Sequence, residues 1–396
     1  MKRAIALALA AGVAAVSAAT AVARPASETT TGAAAQAVSC KSTLKIALVT
    51  PLTGGAGFLG NAQLTWAKYA VKTLPRTLGL KVKLITGDTP VEQGPAPAQA
   101  LAQKYVADRS VVAVIGPATS GAVAATSKAY ADAGVAHISP SATRTSLTQG
   151  SAREATSSFF RVVPGDYIQG PSDARFMIEK VKATKVVIID FQEPYSVGLA
   201  DAAQAVLRAK GVTVLRESTS VRTTDYSSLV TKVPSDAQIV FFPTQQPEDA
   251  RTFGQQLLEQ GKRAKVFGGD GANSPDKFKL AGSYVSNFAP DISSIAYNKA
   301  LIAGWKKDNP SATLESFGPP TYGAIQVALN AIKRACTAGK GQIKNRREVV
   351  RNVKRGSIKN WILGGTFRFS TKTNDPLNAK FYIFEIQPNG SYKLVG

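Results

Sequence analysis

Two short apolar runs, residues 111–116 (VVAVIG) and 135–139 (VAHIS), each give way to small hydroxyl-bearing residues, and an alanine-rich, proline-free segment, 121–133, lies between them. An unbroken β-branched run of this length is the pattern of a strand buried on both faces, and the segment between reads as the crossover helix that joins parallel neighbours. Ser120 then stands just before a helix N terminus. Free backbone N–H groups and the positive end of the helix dipole favour an anion there. The hydroxyls of Ser120, Ser141 and Thr143 add donors without adding charge, so a ligand carboxylate is the natural guest.

The same pattern recurs. Apolar runs at 44–49, 185–189, 238–242 and 264–267 each lead into a polar or glycine-rich loop (TPLTGGAGFLG, DFQEPYSVG, PTQQPED, GGDGANSP) and then into helix-like sequence. This alternation, from residue 44 to about 288, predicts a parallel α/β architecture. In open α/β sheets ligands bind beyond the carboxyl ends of the strands, so the five loops together form the candidate site. Taken singly, each reads equally well as an ordinary strand-to-helix turn, where Gly, Ser, Thr, Asn and Asp serve as caps. The alternation breaks at 163–165, 287–290 and 362–365. Between the last two breaks lie a helix ending at Trp305, the segment FGPPTYG and a long helix from about Tyr322 to Cys336. After them come TFRFS and FYIFEIQPNGSYKLV, whose Pro-Asn-Gly turn predicts a terminal hairpin. Three breaks predict two lobes, 43–163 with 289–362 and 164–288 with 363–396, and a cleft between them.

The N terminus is set aside first. MKR, the apolar stretch 4–16 and Ala21-Val22-Ala23 form a secretory signal peptide, residues 1–23, cleaved near Ala23, which predicts an extracytoplasmic protein. The apolar core is short of the roughly 20 residues a spanning helix needs. Residues 24–42 read as a flexible leader. The 396 residues suffice for two domains, and the net charge of +22 falls to +20 once Lys2 and Arg3 leave with the signal peptide. Nucleic acid is not the expected partner, because the basic residues are spread along the chain without a recognised binding pattern. The densest group, KNRREVVRNVKRGSIK, places Val349, Val350 and Val353 on one helical face and reads as a solvated helix side. Cys40 and Cys336 are the two cysteines. An even pair in an exported protein is most often a disulfide. Closing nearly the whole chain would stabilise it by roughly 4 to 5 kcal/mol in the chain-entropy picture. The rival, a lipidated Cys40, fits less well: Cys40 lies far beyond the signal peptide, and Ala37 rather than Leu stands three residues before it.

Catalysis is not expected. The single histidine, His137, sits inside an apolar run and reads as a packed, locally hydrogen-bonded residue. There is no Cys/His cluster for a metal and no phosphate loop of the GxxxxGK[ST] type, and the run Gly54-Gly55-Ala56-Gly57 lacks the GxGxxG spacing of a dinucleotide site, so no cofactor is expected.

In order and spacing, IALVTPLTG (46–54), IGPATSG, ISPSAT (138–143), the Tyr195 loop after VVIID, QQPED (245–249) and FGGDG (267–271) resemble the leucine/isoleucine/valine-binding family of type I periplasmic binding proteins, the solute receptors of bacterial ABC importers. The likeness runs from residue 44 to 395. It implies a two-lobed α/β fold, each lobe a mostly parallel sheet flanked by helices, with three interlobe crossovers. It also implies a monomer that closes by a hinge motion on a small amino-acid-like ligand and delivers it to ABC permease subunits in the membrane. By position, Ser120 and Thr143 would hold the ligand α-carboxylate. The backbone at Ser141, with Ala142 beside it, would face the α-ammonium, which Asp270 completes from the second lobe where the family more often has glutamate. Tyr195 would close over the ligand and Phe317 would form a pocket wall. The departures fall on the side-chain pocket, where Leu59 and Gln245 replace tyrosines common in branched-chain receptors. The family's small first-lobe disulfide is also absent. A receptor for a small amide, a urea-like compound or an aromatic acid, or a sensory ligand-binding protein, is the alternative, and Asp270 discriminates: a buried carboxylate favours an ammonium and repels a lone acid.

Overall fold

The computed structural model describes residues 37–396 apart from residue 152; the expected signal peptide and most of the leader lie outside the described residues. In chain order the first part of the chain forms β1 (Val38–Ser39), β2 (Leu44–Thr50), α1 (Gly57–Leu78), β3 (Val82–Asp88), α2 (Ala96–Ala107), β4 (Val111–Ile115), α3 (Ser120–Asp132), β5 (Ala136–Ser139) and β6 (Phe159–Arg161). Then follow α4 (Asp166–Glu179), β7 (Lys185–Asp190), α5 (Pro194–Ala209), β8 (Thr213–Ser218), α6 (Ser227–Thr231), β9 (Ile239–Phe242), α7 (Pro247–Glu259), β10 (Lys265–Gly268) and β11 (Tyr284–Asn287). The chain ends with α8 (Lys299–Asp308), α9 (Gly318–Ala338), β12 (Gln342–Ile343), α10 (Arg347–Lys354), β13 (Ser357–Ile358), β14 (Phe367–Arg368), β15 (Tyr382–Ile386) and β16 (Tyr392–Leu394).

Two sheets organise these elements. The first, ordered β3-β2-β4-β5-β6, is parallel throughout. The second, β16-β15-β11-β10-β9-β7-β8, is parallel from β8 to β11 and antiparallel where the terminal hairpin joins β11. The central strands β4, β5 and β9 are buried at every position, as their unbroken apolar runs require. The edge strands β3 and β8 escape the sequence pattern because each mixes exposed and partly buried positions, so neither has an apolar run. In the first sheet the strand order reverses between β2 and β4, and the loops leaving their carboxyl ends face the second sheet.

One face of this sheet packs on α1, α8, α9 and α10 in the first core, and the other packs on α2 and α3 in a separate cluster. Trp66 of α1 stacks on Trp305 of α8 with ring centroids 4.8 Å apart. Three elements of the sequence reading shift. The long helix begins at Gly318, not near Tyr322, because Pro319 and Pro320 fall in its first turn, where a missing N–H costs no helical hydrogen bond. The leader does not extend to residue 42: Val38 and Ser39 pair with Ile343 and Gln342, and Cys40 is disulfide-bonded to Cys336. Phe367 and Phe369, assigned from sequence to the second lobe, pack in the first core against Phe160 and Trp361, so the last crossing comes after them. His137 is fully buried with Nε2 3.0 Å from Ser127 Oγ, and burial pushes its pKa down to about 3, so the ring is neutral. No helix among the described residues is long and apolar enough to cross a membrane.

Candidate functional site

Where the loops after β2, β4 and β5 meet those after β7, β9 and β10, they close around a small cavity of about 10 Å³, the space of about one water. Seven of the nine residues expected to contact a ligand line it: Leu59, Ser120, Ser141, Tyr195, Gln245, Asp270 and Phe317. Ala142 and Thr143 are buried just outside this lining. Thr143 is turned to structural use, its carbonyl oxygen accepting from Arg161 Nη1 (2.7 Å) and from the Asp166 N–H (2.8 Å). Ala118, Thr119 and Gly271 complete the wall; sequence reasoning passed over them because their contribution is backbone and shape.

The first-lobe wall is neutral and rich in donors. Thr119, the N-cap of α3, makes no side-chain capping bond, so the first-turn N–H groups of α3 stay open to a ligand. Ser120 Oγ beside them accepts from the Arg144 N–H at 3.2 Å and retains its own proton for donation. Ser141 Oγ donates to the Ala118 carbonyl (2.7 Å) and accepts from Gln63 Nε2 (2.9 Å), which leaves the buried Gln63 Oε1 without a partner. Leu59 and Phe317 close the apolar side by packing on Ala62, Ala118 and Phe288.

The second-lobe wall is acidic. Tyr195, one residue into α5, donates its hydroxyl to Asp270 Oδ1 at 2.8 Å and accepts from the Gly271 N–H at 3.0 Å. Only glycine fits at 271, since a Cβ there would lie 2.5 Å from the Thr244 carbonyl oxygen. Desolvation raises the Asp270 pKa to about 6 against the lowering effect of the Tyr195 hydroxyl. Behind it, Asp166, Gln169 and Asp173 share one buried face of α4. Asp166 has both carboxylate oxygens buried without a partner, and burial together with the Asp270 charge raises its pKa to about 8. Asp173, which accepts from Ser286 Oγ at 3.0 Å, is pushed well above the usual carboxylate range by burial. Glu193 caps α5 by accepting from the Tyr195 and Ser196 N–H groups (3.0 and 2.7 Å), yet burial raises it to about 7. No ion pair among the described residues involves any of these four acids. The sequence offered a signal for two of them: Asp166 follows Pro-Gly and Glu193 precedes Pro-Tyr, both readable as helix caps and nothing more.

Neutral donors thus stand on one wall, and a buried carboxyl, Asp270, stands on the other. Residues 43–391 match the family described as periplasmic binding protein. The chain belongs to the periplasmic binding protein family. A Leu/Ile/Val-binding protein of Rhizobium johnstonii is 29% identical over 304 residues, covering 74% of this chain and 80% of the relative. Among solved structures, a leucine binding protein from Thermotoga maritima superposes with a TM-score of 0.79 at 21% identity, covering 89% of this chain and 98% of that one. A solute binding protein from R. palustris in complex with benzoate superposes with a TM-score of 0.77 at 17% identity, covering 90% and 96%. This periplasmic binding protein thus has the two-lobed fold of its family, and its relatives are solute-binding proteins of the ABC-transporter type rather than enzymes.

Proposed function

We propose that the protein is the extracytoplasmic receptor of an ABC importer and that it binds an amino acid or similar small zwitterion in the cleft by hinge closure. The observation that carries this reading is Asp270: a fully buried carboxylate on the second-lobe wall, opposite the uncapped start of α3 and the Ser120 hydroxyl on the first. The ligand carboxylate lies on the α3 amides and Ser120, and the ammonium lies on Asp270 and Tyr195. Leu59 and Phe317 offer the ligand side chain an apolar wall, and Gln245, set beside Glu193, offers it a polar contact. The three crossing segments act as the hinge, and the permease receives the closed form.

Titration calorimetry against amino acids, amides and aromatic acids tests the proposal. Removing one partner of a desolvated charge pair costs about 3 to 5 kcal/mol, so Asp270→Asn weakens amino-acid binding by roughly 10²- to 10³-fold or more, and Ser120→Ala by less, as one neutral donor among several. Unchanged affinity in a folded Asp270→Asn protein refutes the ammonium site. The second reading, an aromatic acid as in the benzoate-bound relative, draws on the apolar Leu59–Phe317 wall. It requires Asp270→Asn to strengthen benzoate binding, because that change removes a repelling charge.

A further inference from the structure

Although Lys and Arg are spread along the chain, one surface, the basic pole, carries an excess of them with almost no acid. Between residues 333 and 368, ten Lys and Arg side chains are exposed against a single acid, the partly buried Glu348. None of the ten forms an ion pair among the described residues. In sequence, four of the ten (Lys333, Arg334, Lys340 and Arg368) lie outside the basic run 344–359; the fold brings them alongside it. Val349 and Val353 seat α10 on α9, which turns Arg347, Arg351 and Lys354 outward at i, i+4 and i+7. The end of α9 brings Lys333 and Arg334 alongside, with Arg334 Nη1 3.5 Å from the Arg355 carbonyl oxygen. The β13–β14 hairpin adds Arg368, whose Nε donates to Ser357 Oγ at 3.3 Å. These guanidinium groups meet carbonyl and hydroxyl oxygens, not acids, so their charge stays uncompensated.

The end of this surface formed by the C terminus of α9 and the start of α10 lies far from the cleft. Phe317, which lines the cavity, is the N-cap of α9, and the helix runs 21 residues to the basic end, about 30 Å at 1.5 Å per residue. A partner held at that end therefore leaves the mouth of the cleft open. The aromatic side chains of the region, Trp361 and Phe367, are buried, so the surface offers no stacking platform for bases and no apolar wedge for insertion. What remains is a purely electrostatic surface, suited to a plane of anionic headgroups.

We propose that this pole docks the protein reversibly on an anionic phospholipid membrane, with the ligand cleft directed away from the bilayer. Vesicle co-sedimentation of the purified protein tests it, with phosphatidylcholine alone and with phosphatidylcholine containing phosphatidylglycerol. Binding to the anionic vesicles is expected to exceed binding to the neutral ones by at least tenfold at 0.1 M NaCl and to disappear at 1 M, where the screening length falls from about 10 Å to about 3 Å. The combined variant Arg347→Glu, Arg351→Glu, Lys354→Glu loses at least tenfold. A control with the same charge change on the second lobe, Lys210→Glu, Arg251→Glu, Lys279→Glu, loses less than twofold. If the first variant does not fold, glutamine at the same three positions serves, with a smaller loss. Equal losses in pole and control variants would reduce the effect to net charge and overturn the proposal. So would equal binding to neutral vesicles, or tighter binding to an oligonucleotide than to anionic vesicles. Ligand affinity is unchanged in the pole variant, so the cleft proposal stands or falls separately.

Discussion

Arg161 Nε lies 2.7 Å from Asp375 Oδ1, and both side chains are buried. The pair ties the segment that leaves the first sheet to the segment that returns to the second, and it also shapes the site. Arg161 Nη1 donates to the carbonyl oxygens of Ala142, Thr143 and Arg144, which fixes the loop after β5. Asp375 Oδ2 in turn accepts from Thr148 Oγ1 (2.9 Å) and Gln149 Nε2 (2.8 Å). Breaking such a pair leaves an uncompensated buried charge, so Asp375→Ala destabilises the fold by about 3 to 5 kcal/mol. Urea unfolding checks this; a loss under 1 kcal/mol would show that solvent reaches Arg161.

Arg144 spans the cleft. Its Nη1 donates to the Pro194 carbonyl oxygen at 2.6 Å, while Nη2 stays 3.0 Å from Glu154 on its own lobe. Only the bond to Pro194 depends on closure. A charged donor contributes about 1.5 to 3 kcal/mol to such a bond, and at 23% side-chain exposure the lower end applies. Arg144→Ala is expected to weaken ligand binding about tenfold, chiefly through faster dissociation. Stopped-flow release measures it, and an unaltered off-rate would mean that this contact does not hold the lobes together.

The buried acids predict a pH response with a definite sign. Asp270, Glu193 and Asp166 hold their protons more tightly in the folded chain than in the unfolded one, where the ordinary values are near 4. Their contribution to stability is full below about pH 4 and is lost as pH rises through about 6, 7 and 8 respectively. An ammonium ligand needs Asp270 ionised, so affinity rises between pH 5 and 7 and binding near pH 6 releases protons. Calorimetry in buffers of different ionisation enthalpy reads that release directly. Asp166→Asn removes a buried charge that Arg161 and Arg144 offset only in part; it stabilises the ligand-free protein by about 1 to 3 kcal/mol at pH 8.5 and has little effect at pH 5. Equal melting shifts at the two pH values would show that Asp166 does not titrate on this chain.

Local pattern alone determined much of this protein. Short, β-branched apolar runs bounded by turn residues mark interior strands, so β2, β4, β7, β9 and β10 and the loops at their carboxyl ends were legible. With them came the meeting of Ser120, Tyr195 and Asp270 around one cavity, because the loops at the carboxyl ends of parallel strands converge there. The Cys40–Cys336 bond and the neutral, packed His137 were legible too, from cysteine arithmetic and an apolar context. Features that depend on residues far apart in the chain were decided by the tertiary structure. The apolar runs are silent on Arg161 and Asp375, 214 residues apart, since an arginine in a strand and an aspartate in a turn become an ion pair only when two crossings meet. Asp166 and Glu193 look like ordinary helix-start residues in the sequence; burial in the fold strips their water and outweighs the nearby arginine charges. The late return of the chain to the second sheet was fixed by where Phe367 and Phe369 could be buried, and the basic pole by which exposed faces α9, α10 and the β13–β14 hairpin were left to present. Periodicity tells which side of an element is buried; only packing tells what it is buried against, and charge is governed by that neighbour.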